Sequence, residues 1–63
     1  MKISNNETIV CTYVFDGKSC YRATRNIVGK YVLYKIIGDD YQKMKMAESP
    51  LEFDKIVKKD RDK

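Results

Sequence analysis

The residue types in this chain that could do covalent or acid–base chemistry are few. The groupings to consider are the only adjacent carboxylate pair, Asp39 and Asp40, and two thiols, Cys11 and Cys20. Two carboxylates can divide acid and base roles when their surroundings split their pKa values. These two follow Gly38 in a turn pattern, where Asp normally serves the turn itself. A cysteine nucleophile needs a base to activate it, and the chain contains no His. That absence also removes serine–histidine triads and histidine-bearing zinc sites. Two cysteines cannot fill a four-cysteine metal site. The chain therefore reads as a non-enzymatic one, with no cofactor and no metal expected.

A second set of residues suits binding. Arg22, Arg25, Lys30, Lys35, Lys43 and Lys45 can neutralise phosphates, and Tyr34 and Tyr41 can offer stacking platforms for bases. The net charge of +4 is unevenly distributed. Residues 18–46 carry +5, residues 1–17 carry −1 and residues 47–63 balance to zero. The positive excess thus lies on the segments that hold these eight residues, which predicts a nucleic-acid-binding surface.

Those segments read as strands. Residues 7–15 are dense in β-branched and aromatic types. Asp16-Gly17 then gives a hairpin signal, because a type I′ turn needs positive φ at both central positions. Residues 19–27 form a second strand, Gly29 marks a turn, and residues 30–37 form the most apolar strand. Gly38-Asp39-Asp40 turns the chain into residues 41–46, which alternate polar and apolar side chains. Ser49-Pro50-Leu51-Glu52 has the pattern of a capping box with Pro at the first helical position. Phe53, Ile56 and Val57 make one apolar stripe behind it. The expected fold class is α+β: a small antiparallel meander of three to four strands, with one C-terminal helix packed on one face (β-β-β-β-α). Residues 1–63 form one small domain, in which 1–6 and 60–63 are expected to fray.

The faces follow from the twofold period of a strand. Strand 1 presents Ile9, Cys11, Tyr13 and Phe15 as its core face. Met44 and Met46 of strand 4 should face the helix, with Tyr41, Lys43 and Lys45 facing away. Strand 2 is ambiguous. A two-residue loop at Asp16-Gly17 sets Cys20, Arg22 and Thr24 beside Phe15, as the turn chemistry favours. A three-residue loop sets Tyr21, Ala23 and Arg25 there, as hydrophobic segregation favours, and the second arrangement is the one expected. A two-residue loop also leaves Cys11 and Cys20 diagonal at ~7–8 Å, beyond disulfide reach, so both are expected as free thiols. Strand 3 is apolar on both faces, and one helix covers only one. Its second face should meet a protein partner or a second copy through residues 30–37.

Tyr21-Arg22-Ala23-Thr24-Arg25, Gly29-Lys30-Tyr31-Val32, Lys43-Met44-Lys45-Met46 and the capped helix from Ser49 are together similar to sheet-plus-helix DNA-binding modules. Examples are plant AP2-type domains and integrase arm-binding domains. The resemblance spans about residues 20–59 and implies DNA contact through the sheet. The chain departs from that pattern in having no Trp, with Tyr31 where such domains often carry one, and no Gly before the helix. The strand order also fits four-stranded single-strand binders.

No apolar run approaches the ~20 residues of a membrane span. The N-terminal MKISNNETIV lacks the apolar stretch of a signal peptide. A soluble cytoplasmic protein with no membrane partner is expected. Lys outnumbers Arg ten to three, and Lys, Ile, Asn, Tyr and Phe supply 26 of the 63 residues. Those residues have AT-rich codons, which suits a small reading frame from an AT-rich microbe or virus. The short length, the two-faced strand 3 and the lack of a catalytic set give the alternative function: a small viral or mobile-element protein that binds and inhibits or modulates a host protein, alone or as a homodimer.

Overall fold

A computed structural model describes residues 6–62. The fraying expected for residues 1–5 and 63 lies outside the described residues. Among the described residues, four strands form one antiparallel sheet in sequence order: β1 (Thr8–Phe15), β2 (Lys18–Arg25), β3 (Tyr31–Ile37) and β4 (Asp40–Ala47). A 3₁₀ turn (Pro50–Glu52) leads into helix α1 (Phe53–Arg61). This is the expected β-β-β-β-α order.

Two hairpin turns carry the backbone their residues permit. Asp16 and Gly17 have φ of 53° and 76°, the two positive values of a type I′ turn. Gly38 has φ of 61°, which a first central glycine supplies in a two-residue hairpin loop. The β2–β3 link starts earlier than expected. β2 stops at Arg25, and the Asn26 side chain accepts the Lys30 amide at 2.9 Å. That closure turns Ile27 and Val28 outward to solvent rather than extending the strand through Ile27.

Three β-bulges set which side chains share a face. The β1–β2 hairpin reconciles the two competing arrangements. It keeps the two-residue loop, with Phe15 opposite Lys18 and Val14 opposite Ser19. Cys20 is then an extra residue on β2, and Tyr13 falls opposite Tyr21. Tyr21 and Ala23 therefore reach the helix side, as segregation demands, because one inserted residue inverts the strand's phase. Val10 is inserted on β1 in the same way. Ile9 consequently pairs with Thr24 and leaves the core face on which it was expected.

The third bulge corrects strand 4. Met44 is the inserted residue, so Lys43 pairs with Tyr34 while Lys45 pairs with Leu33. Met44 packs against the core cluster as expected. Met46 pairs with Val32 on the opposite face and is exposed, and Lys45 and Lys43 are no longer in phase.

The core under the helix joins Tyr21, Ala23 and Leu33 to Phe53 and Val57, with Tyr13, Phe15, Tyr31, Met44 and Ile56 packed around it. The helix is pinned at its rim by carboxylates. Tyr13 donates to Asp54 Oδ1 at 2.6 Å, and Tyr21 donates to Asp60. The Arg61 guanidinium lies 3.5 Å from the Phe15 ring centroid, a cation–π contact. Residues 60 and 61 lie within the helix and make these contacts. Ser49 caps the 3₁₀ turn by accepting the Leu51 amide at 3.3 Å. The expected acceptance from Glu52 is replaced because the first turn is the tighter 3₁₀ form.

Strand β3 is buried on both faces without a second layer of structure among the described elements. Leu33 lies in the helix-side cluster, while Val32 and Tyr34 on the other side are 1% and 2% exposed. The expected interface through residues 30–37 therefore has no free apolar face at its centre. No described helix is long and apolar enough to cross a membrane.

Candidate nucleic-acid interface

Residues of β3, β4 and helix α1 line a cleft of about 560 Å³. Lys35, Lys43 and Lys45 line it from the sheet, together with Gln42. Met44 and Ile56 supply apolar surface, and Asp60 comes from the helix. A smaller adjoining recess of about 160 Å³ adds Lys59.

Three of the eight sequence-predicted residues thus converge on one concavity. Lys35 is tied to Asp60, with Nζ to Oδ2 at 3.0 Å. Lys45 lies 4.0 Å from Glu52, and both side chains are at least half exposed, so this pair is weak. Lys43 is exposed and has no acidic partner among the described residues. The cleft therefore offers cations above a partly apolar floor, with an amide at Gln42 that can both donate and accept.

Arg22, Tyr34 and Tyr41 meet on the other face of the sheet, across from Lys43 in register. Arg22 donates from Nη1 to the Tyr41 hydroxyl at 2.8 Å and from Nε to Thr12 Oγ1 at 3.3 Å. The Tyr34 and Tyr41 rings meet edge to face at 5.9 Å. Tyr34 is buried, and its hydroxyl donates to both oxygens of Glu7 at 2.9 Å. Thr24, fully buried, donates to the same carboxylate at 2.5 Å. Burial and then the Glu7 hydrogen bond push the Tyr34 hydroxyl up to about 12, so it stays neutral at ordinary pH. The Tyr34 ring is consequently a packed element rather than an open platform; Tyr41, half-buried, keeps part of its surface free.

Arg25 and Lys30 sit apart, at the β2–β3 end of the sheet. Arg25 is exposed beside Gly29, and Lys30 Nζ lies 3.4 Å from Glu48 Oε1. The structure does not bring these two to the cleft.

Sequence reading missed Gln42, Ile56, Lys59 and Asp60 as cleft residues and Glu7 as the anchor of the second face. Ile56, Lys59 and Asp60 share a helix face by their i, i+3 and i+4 spacing, which was the available signal. Glu7 lies 17 and 27 positions from its partners, and no local pattern announces such pairs. Asp39 and Asp40 do stand at the β3–β4 turn, where Asp40 Oδ1 accepts the Tyr41 amide at 2.8 Å. Both cysteines are free thiols. No cluster of three or more potential metal ligands occurs among the described residues.

Comparison with protein-family models, with curated proteins and with solved structures finds no match to this chain.

Proposed function

We propose that this chain is a non-enzymatic binding module that takes single-stranded nucleic acid along β4 and the cleft beside α1, in a cytoplasmic setting. The observation that carries this reading is the convergence of Lys35, Lys43 and Lys45 on one cleft floored by Met44 and Ile56. Lysines gathered at one cleft suit phosphates, and the apolar floor suits an unstacked base. Gln42 adds a hydrogen-bonding edge. Arg22 and Tyr41 lie across the same edge strand and extend the basic and aromatic surface.

The test is fluorescence anisotropy of labelled single-stranded and duplex oligonucleotides titrated with the full chain. Three phosphate contacts to a single strand predict roughly a twentyfold loss of affinity between about 50 and 200 mM salt. K43E/K45E, at two exposed positions, should weaken binding about tenfold or more at low salt. Absence of binding at low salt, or indifference to K43E/K45E, would overturn the reading.

The second reading is a protein-interaction module, such as a small viral or mobile-element protein acting on a host factor. The observation that favours it is the uncharged outer edge at β1.

A further inference from the structure

Strand β1 forms an unusual border. Thr8–Phe15 (Thr-Ile-Val-Cys-Thr-Tyr-Val-Phe) contains no charged residue and no Pro. Among the described residues it pairs with β2 alone, so its outer row of backbone N–H and C=O groups has no strand beside it. Ile9, Val10 and Val14 are 49%, 47% and 56% exposed. Natural edge strands are normally guarded by charges, especially Lys, by Pro or by bulges. Here the guard is one bulge, at Val10. From Cys11 to Phe15 the strand has no inserted residue, because the second irregularity belongs to Cys20 on β2.

We propose that β1 pairs antiparallel with β1 of a second copy of this chain, joining two four-stranded sheets edge to edge. Charge selects this occupant. A strand adding here must bring no charge against Ile9, Val10 and Val14, and β1 is itself such a strand. Antiparallel pairing centred between Cys11 and Thr12 sets Val14 opposite Ile9 and Val10 opposite Tyr13, with uncharged side chains opposite uncharged ones along the strand. β4, the other edge, is excluded as the partner, since it would bring Lys43 and Lys45 to an apolar border. The contact is isologous and closes on a twofold axis. Main-chain hydrogen bonds supply the attraction and the exposed valines supply side-chain contacts. The inference stands independently of nucleic-acid binding.

Sedimentation equilibrium of the full chain from low to high micromolar concentration tests it. The mass should rise from 7.4 kDa toward twice that value. V10K/V14K, at two exposed positions, should raise the dimer dissociation constant at least about tenfold, the effect of some 1.4 kcal/mol. V28K changes an equally apolar position, 74% exposed, at the β2–β3 turn and should leave the dimer intact. Amide exchange in residues 11–15 of the unmodified chain should slow as concentration rises. A single 7.4 kDa species throughout, or exchange in residues 11–15 that ignores concentration, would overturn the proposal. So would a dimer broken by V28K and spared by V10K/V14K.

Discussion

On the helix side of β3, Leu33 clusters with Ala23, Phe53 and Val57. On the other side of the same strand, Val32 and Tyr34 lie beside Thr24, and the Glu7 carboxylate collects the Tyr34 and Thr24 hydroxyls. One face holds an apolar cluster with the helix; on the other a carboxylate satisfies two buried hydroxyls. Tyrosine chemistry is shared between them, since Tyr13, Tyr21 and Tyr34 each donate to a carboxylate. The buried Tyr21, Thr24 and Tyr34 hydroxyls thus each have an acceptor. Of the cleft residues, Lys35, Gln42 and Lys45 share the helix-side register, whereas Lys43 pairs with Tyr34, so the cleft at the β4 edge draws on both faces.

That difference can be broken from either side. Phe53→Ala should have the largest effect, removing about 3–5 kcal/mol through the cavity it leaves. Urea unfolding followed by circular dichroism should show a domain largely unfolded at room temperature. Glu7→Ala should cost less, about 1–3 kcal/mol, because it leaves the Thr24 and Tyr34 hydroxyls without their acceptor. A double-mutant cycle with Tyr34→Phe should return most of that loss as coupling. If Glu7→Ala costs more than Phe53→Ala, the contrast between the faces is wrong.

The smallest effect should come from mild alkali, and it touches both faces. Tyr21 and Tyr34 are each held up to about 12 by burial and by a hydrogen-bonded carboxylate, against about 10 in the unfolded chain. The folded state therefore holds these protons more tightly. Their stabilisation is complete below pH 10 and falls away as pH rises toward 12. At the start of that window the urea midpoint should begin to drop. Tyr21→Phe and Tyr34→Phe should each remove part of the drop, and an unchanged slope in both variants would count against the two anchors.

Much of the backbone was legible because it is locally determined. Asp16-Gly17 and Gly38 announce their turns through positive φ, and Phe53, Ile56 and Val57 announce the helix through spacing. The strand phases were harder. At β1–β2 the turn residues and the hydrophobic pattern disagreed by one position, and that disagreement was itself the mark of the bulge at Cys20. At β4 the clean alternation of Lys43-Met44-Lys45-Met46 hid the inserted Met44, since an extra residue leaves no trace in composition. Of the predicted site, Lys35, Lys43 and Lys45 converge, whereas Arg25 and Lys30 lie at another end of the sheet. Only the bulge and the placement of α1 decide that division, and neither follows from local preference.

The bulge at Met44 also bears on how many copies can assemble. A meander has two edges, and a protein sticky at both grows into a fibre. Here the outer strand at one border is kinked and carries Lys43 and Lys45, while the border at β1 is uncharged. Joining through β1 consumes the receptive edge of each copy and leaves a basic rim at either end. In the proposed dimer, assembly through this sheet would stop at two chains, with Met44 and its flanking lysines guarding the outer edges against polymerisation.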